Sequence, residues 1–161
     1  MLDEYVDINY SCLVSSAKTL PFETTLLVKD RCLCLHVQRA ARALGRRFDE
    51  KLRPFELTNG QFSLLMSLNR PEPPPMGPVA SLLAMDRTTL TAALKPLERR
   101  GLVRIASDPS DRRSRILILT KKGRSLLARA LPTWQRTHDE IERLVPGVDW
   151  KELRQNLRAI S

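Results

Sequence analysis

A chain of 161 residues with 42% hydrophobic content is long enough to build one domain around its own core, and 27 Lys and Arg against 18 Asp and Glu leave a formal charge of +9. No run approaches the ~20 apolar residues of a membrane span. The first residues lack a basic-then-apolar secretion pattern, and Cys12, Cys32 and Cys34 form no CxxC pair that would support a disulfide framework or a zinc site.

These bounds describe a cytoplasmic protein with reduced thiols, no metal and no cofactor. Its surplus positive charge asks for a polyanion, nucleic acid ahead of a membrane surface. Residues 1–25 show no sustained period and read as an N-terminal arm. From residue 26 to about residue 52, Leu33, Val37, Ala40, Leu44, Phe48 and Leu52 recur every three or four positions. That period predicts one long amphipathic helix, stopped by Pro54. "LTNGQFSLLMSLN" opens a second helix, with Thr58 and Gln61 at capping-box spacing and Phe62, Leu65 and Met66 on one face. "RPEPPPMGP" holds five of the 11 prolines and must be irregular. Gly77 and Pro78 then introduce a short helix, with Pro78 at its first position and Val79, Leu82 and Leu83 turned inward.

In "MDRTTLTAALKPLERRGLV", Asp86 caps a helix whose buried stripe is Leu90, Leu94 and Leu97, with Pro96 bending it and Gly101 ending it. "LVRIAS" and "RILILT" are strand-like and flank a turn over 108–113, which makes a β-hairpin. A further helix runs from Thr120 to about residue 145, with Leu127, Leu131, Trp134, His138, Ile141 and Val145 on one face and a kink at Pro132. Asp149 and Glu152 form a capping box for a last helix that buries Trp150, Leu153, Leu157 and Ile160. The fold class is mainly α with a small β-hairpin, and residues 56–120 have the order of a winged helix-turn-helix.

In such a unit the second helix of the pair lies in the major groove with its N-terminal half against base edges. With Leu90, Leu94 and Leu97 inward, the outward set is Arg87, Thr88, Thr91, Ala92 and Lys95, with Thr89 beside them. Arg forks onto guanine, Thr bonds bases or phosphates and offers a methyl to thymine, and Lys neutralises phosphate. The hairpin tip falls over the neighbouring minor groove, where Arg112, Arg113 and Arg115 suit narrow A·T-rich DNA. Asp111 stands where it could hold the Arg113 guanidinium by a charge-assisted bond. The bland alternative is a solvated helix face and a loop that serves only solubility. The juxtaposition of reader and arginine tip favours DNA.

"DRRSRILILT" fits the D-x-R-x-x-x-L-x-L-T wing signature of the MarR (multiple antibiotic resistance regulator) family through Asp111, Arg113, Leu117, Leu119 and Thr120. "LTNGQFSLL", "MDRTTLTAALKPLERRGLV" and "LTKKGRSLL" resemble the flanking family segments in order and spacing, so the resemblance covers about residues 30–145. It implies a homodimeric transcriptional repressor on a palindromic double-stranded operator, released by a small aromatic or anionic effector such as an aromatic acid or its thioester. It also implies Arg113 as the minor-groove residue, Asp111 as its positioner, residues 87–95 as the reading surface, and residues 26–55 with 121–161 as a helical dimerisation region. Two departures stand out: Ala84 where the family usually turns on Gly, and the proline-rich 71–75 in place of the usual linker.

Two sensing devices compete. A ligand pocket between the dimer helices and the DNA-binding part would draw on His36, Arg39, Phe62, Met66 and His138, pairing a cationic group with apolar walls. Peroxide-sensing members of the family resemble this chain in a cysteine at the place of Cys34, but the tyrosines that contact the thiolate there are replaced by Phe48, Asn59 and Phe62. A thiol without such donors reads more readily as a buried small hydrophobe than as a redox sensor. A basic RNA-binding protein is the remaining alternative, disfavoured by few aromatics and by the long apolar stripes. The chain has no GxSxG, GxxxxGK or HExxH and only two histidines, which argues against an enzyme.

Overall fold

The computed structural model describes residues 19–111 and 113–160. They form α1 (Phe22–Arg31), α2 (Leu33–Leu52), a 3-10 turn (Arg53–Phe55), α3 (Asn59–Ser67), α4 (Met76–Leu82), α5 (Arg87–Arg99), β1 (Val103–Ser107), β2 (Arg115–Leu119), α6 (Lys121–Leu144) and α7 (Trp150–Ala159). This is the mainly helical, winged helix-turn-helix class that the sequence predicts. Most of the N-terminal arm, with Cys12, and the wing residue Arg112 lie outside the described residues.

Internal contacts divide the chain into two units at Ala40 and Ala41. In the first, the helix expected to run unbroken from residue 26 is interrupted at Cys32, whose ψ of 97° leaves the helical region. Cys32 closes one helix and opens the next. Its N–H donates to the Val28 carbonyl at 2.9 Å, while its Sγ accepts the Leu35 N–H at 3.4 Å. A thiol thus stands where Ser or Asp usually caps. The apolar period begins only at Leu33, just past the break, and so gives no sign of it.

The core of the second unit joins Phe48 and Leu52 of α2 to Phe62 and Leu65 of α3, the α5 stripe, the hairpin residues Leu117 and Leu119, and Leu127 and Ala130 of α6. Leu90, Leu94 and Leu97 are all fully buried. Burying each contributes roughly 1.5–3 kcal/mol, which fixes the face that α5 turns away from solvent. The Thr58 capping box is present in both directions: Thr58 Oγ1 accepts the Gln61 N–H, and Gln61 Oε1 accepts the Thr58 N–H, each at 3.2 Å.

α4 begins at Met76, two residues before the expected start, and Pro78 falls inside its first turn, where a missing N–H costs nothing. Val79 and Ala80 are buried and Leu83 half-buried, but Leu82, expected inside, is 59% exposed. At about 100° per residue, Val79, Ala80 and Leu83 share one arc and Leu82 falls about 60° outside it. The proline segment is irregular, yet it adds an edge to the hairpin. Pro74 O accepts the Leu117 N–H at 2.9 Å and Pro75 bridges Ile116. Prolines suit that outer position because it needs acceptors and no donors.

The α4–α5 turn places Ala84 at φ +50°. A β-carbon in the left-handed region costs about 1–2 kcal/mol, partly offset by the ~0.5–1 kcal/mol of chain entropy that glycine would add. Ala84→Gly is therefore expected to stabilise the fold by about 0.5–1 kcal/mol in urea titration, with operator affinity unchanged. A loss of stability would show that the Ala84 methyl contributes more than its strain.

Two corrections concern the C-terminal helices. On α6, Leu127 and Ile141 are buried and Leu131, Trp134 and His138 half-buried, but Val145 is 49% exposed. Asp149 caps α7 by accepting the N–H groups of Lys151 and Glu152, each at 2.9 Å. Of the residues expected inside, Trp150 is half-buried, whereas Leu153, Leu157 and Ile160 are 38%, 41% and 62% exposed. A helical period names an apolar face without naming what covers it.

Candidate nucleic-acid interface

The interface grows from the cap of α5. Asp86 Oδ1 accepts the Thr89 N–H and Oδ2 accepts the Thr89 hydroxyl, each at 2.7 Å. These bonds, the main-chain one foremost, hold the Asp86 carboxyl below the usual carboxylate range. It is charged at neutral pH, as suits the positive end of a helix dipole. Beyond the cap, Arg87, Thr88, Thr89, Thr91, Ala92 and Lys95 are all exposed, while Leu90, Leu94 and Leu97 are buried.

The wing is anchored by a regular antiparallel register from Val103↔Leu119 to Ser107↔Arg115, with Leu117 and Leu119 buried. Its tip is built from short polar side chains. Asp108 Oδ1 accepts the N–H and hydroxyl of Ser110, at 2.8 and 2.6 Å. The Ser110 hydroxyl, ahead of its N–H, holds the Asp108 carboxyl below its usual range. Asp108 N–H donates to Ser114 O at 3.1 Å and Ser114 N–H to Asp111 O at 2.8 Å, which closes the turn. Sequence reasoning missed this clamp, although Asp followed two residues later by Ser is the spacing of an Asx-turn.

Asp111 acts differently from expectation. Its Oδ1 accepts the backbone N–H of Arg113 at 2.9 Å, and among the described residues it forms no ion pair with the Arg113 guanidinium. It therefore sets the course of the main chain and leaves the guanidinium free. The Arg115 guanidinium donates to Ser107 Oγ across the end rung of the hairpin.

A cleft of about 300 Å³ lies between the start of α4, the start of α5 and the wing, lined by Met76, Gly77, Arg87, Asp111, Arg113, Ser114 and Arg115. It brings four of the sequence-predicted residues together, three of them arginines. Three guanidiniums and one carboxylate on one concave surface carry the charge and the forked donors that suit a phosphate backbone.

A second cleft, about 370 Å³, lies between α3, α4 and α6, with Phe62, Met66, Trp134, Leu83 and Arg70 among its walls. Phe62 and Trp134 stack at 5.8 Å with an interplanar angle of 19°, and His138 packs on the other side of the cluster, 4.2 Å from Trp134 and 4.9 Å from Phe48. Burial pushes His138 below the usual imidazole range, against the opposing pull of Glu142. The ring is neutral at pH 7, so it offers a hydrogen bond and no charge. Of the predicted ligand set, Phe62 and Met66 line this cleft and His138 backs onto it through Trp134. His36 and Arg39 belong to the first unit, where His36 Nε2 lies 3.2 Å from the Asp30 carbonyl. The sequence reading passed over Trp134 and Arg70; the signal was Trp134 at i, i+4 from His138 on one helix face.

Cys34 is a free, exposed thiol, in place of the buried small hydrophobe that was the alternative to a redox role. Among the described residues no helix is long and apolar enough to cross a membrane, and no group of His, Cys, Asp or Glu is arranged to hold a metal ion.

Residues 57–114 match the MarR family model. The chain is 41% identical over 97 residues to the HTH-type transcriptional regulator TtmR of Methylorubrum extorquens, a match that covers 60% of this chain and 50% of that relative. The chain thus spans about half the length of this relative. The structure is similar to that of the M. tuberculosis transcriptional regulator MosR in complex with DNA, at TM-score 0.73 and 37% identity, covering 81% of this chain and 93% of MosR. It is also similar to a transcriptional repressor, CouR, bound to a 23-mer DNA duplex, at TM-score 0.73 and 34% identity, covering 83% of this chain and 94% of that CouR.

Proposed function

This chain belongs to the MarR family of transcriptional regulators, and on that premise we propose that it is a cytoplasmic, homodimeric repressor that binds a palindromic operator and leaves it when a small aromatic anion binds. The observation that carries the reading is the convergence of Arg87, Arg113 and Arg115 on one cleft beside the exposed face of α5. In this reading α5 enters the major groove, Arg113 enters the adjoining minor groove, and Lys95, Arg112 and Arg115 contact phosphates. Residues 56–120 serve as the DNA-binding domain. The apolar side chains left exposed on α6 and α7, Leu144, Val145, Leu153, Leu157 and Ile160, are the surface that a second copy would cover. The DNA-bound forms of MosR and CouR and the repressor role of CouR support the same assignment.

The effector site is the cleft between α3, α4 and α6. Phe62, Met66 and Trp134 supply walls for a flat apolar body, and Arg70, whose Nε donates to Ser67 O at 3.0 Å, supplies the cation that neutral His138 does not. A ligand wedged there touches α4, on which α5 packs. It releases DNA to the extent that it binds one placement of α4 more tightly than the other.

Footprinting on the DNA upstream of the chain's own gene tests this. Two protected half-sites about 10 base pairs apart are expected, with protection lost on adding an aromatic acid. Release by peroxide instead, abolished in Cys34→Ser, would move the switch to the thiol. A stable monomer at micromolar concentration, or equal binding to every sequence at physiological salt, would sink the proposal.

A further inference from the structure

Two of the three threonine hydroxyl protons of α5 are already committed inside the protein. Thr91 Oγ1 lies 2.7 Å from the Arg87 carbonyl oxygen, and Thr89 Oγ1 lies 2.7 Å from Asp86 Oδ2. A carbonyl oxygen and an ionised carboxylate can only accept, so in both pairs the threonine donates. The other neighbour of the Thr91 hydroxyl, Met76 Sδ at 4.0 Å, is too distant and too weak an acceptor to compete. What each hydroxyl has left is lone pairs, and what each side chain has left is a methyl group.

The two threonines differ in place. Thr89 is turned toward the cap by the Asp86 carboxylate. Thr91 stands one turn beyond Arg87 on the exposed stripe shared with Ala92 and Lys95. The Thr88 hydroxyl has no internal partner among the described residues, so it can rotate to donate or accept and discriminates little.

Base edges in the major groove sort sharply against an acceptor with a methyl beside it. Guanine shows two acceptors, O6 and N7, and would set lone pairs against lone pairs. Cytosine offers a donor at N4 but no methyl. An A·T pair offers both features at once, the adenine N6 donor and the thymine methyl. We infer that Thr91 is a specificity-determining residue that selects an A·T pair at one position of each half-site and rejects guanine there, because the Arg87 carbonyl holds its hydroxyl proton. Arg87, whose guanidinium only donates, has the opposite preference. The inference rests on α5 being the reading helix, as proposed above.

The test is selection from a pool of randomised half-sites followed by sequencing, run on the full chain and on Thr91→Val, Thr91→Ser and Arg87→Ala. Wild type is expected to enrich A·T and deplete guanine at one position per half-site. Thr91→Val keeps the shape and loses the lone pairs, so discrimination of adenine over guanine there falls about fivefold, the scale of one neutral hydrogen bond. Thr91→Ser keeps the back-bond and still rejects guanine, while its preference over C·G weakens with the lost methyl. An unchanged base profile in Thr91→Val, with Arg87→Ala altered, overturns this inference alone. Unchanged profiles in both variants overturn the reading-helix assignment itself. Enrichment of guanine by wild type at the position that Thr91→Val alters also refutes the inference.

Discussion

Replacing Arg113 by alanine is expected to weaken operator binding by about 1–3 kcal/mol, roughly 5- to 150-fold, while leaving the melting temperature where it was. The two halves of that expectation have separate grounds. The fold does not use the side chain: Arg113 is exposed, and its only bond among the described residues is the backbone N–H that Asp111 accepts. The proposed DNA-binding role calls on it, because the tip geometry fixes its main chain and its guanidinium shares a cleft with those of Arg87 and Arg115. Like charges held together there repel one another until an anion arrives. Titration at fixed ionic strength measures the loss. Its pattern separates two roles: insertion into the minor groove predicts a lost preference for A·T beside the half-site, whereas a phosphate contact predicts a salt slope shallower by about 1. Unchanged affinity would reduce the tip to a solvated loop. Arg115→Ala should cost less, since that guanidinium is already engaged by Ser107.

What could be read in the sequence was chemistry that closes within a few residues. Thr58 with Gln61, Asp86 with its helix, and Asp149 ahead of α7 all name their own partners by spacing, and all three cap as expected. The leucine stripe of α5 and the wing strands were equally legible, because burial imposes period 3.6 on one and alternation on the other. What could not be read depended on something outside the local pattern. The apolar period of α2 begins only after Cys32 and so says nothing of the break there. The exposure of Leu82 follows from which arc of α4 meets the core, the one that Val79, Ala80 and Leu83 share. Leu153, Leu157 and Ile160 have the correct period, but the described residues leave them largely uncovered. Asp111 was correctly singled out, but which atoms of Arg113 it holds is a property of the loop path. The arginine cleft was thus legible in the sequence through Arg87, Asp111, Arg113 and Arg115, and the cleft between α3, α4 and α6 only in part, because Trp134 and Arg70 reach it from elements far apart in sequence.

Gly123→Ala is expected to destabilise the protein by about 3 kcal/mol, although helix propensity alone predicts a gain of about 1 kcal/mol for the same change. Gly123 is buried in the first turn of α6, where its N–H donates to Thr120 Oγ1 at 3.0 Å. A β-carbon there would overlap the Leu102 carbonyl oxygen and lie 2.7 Å from Leu119 Cδ1 and 3.2 Å from Leu102 C. The leucine tip can rotate; the carbonyl cannot. Leu102 is held on both sides, its N–H donating to Leu97 O at 2.9 Å and its carbonyl accepting the Thr120 N–H at 3.1 Å. Relief must therefore come from lifting α6 away from the junction of α5 and β1. That movement breaks the seat from which the wing projects, so operator affinity should fall by more than the unfolded fraction explains. Gly45 in α2 is the control: nothing lies within 4 Å of the added carbon, and Gly45→Ala should stabilise by up to about 1 kcal/mol. Urea titration of the two variants reads opposite signs from one chemical change. If Gly123→Ala unfolds with wild-type stability, α6 is not seated on the Leu102 backbone, and the mechanical link from the helical region to the arginine tip is lost with it.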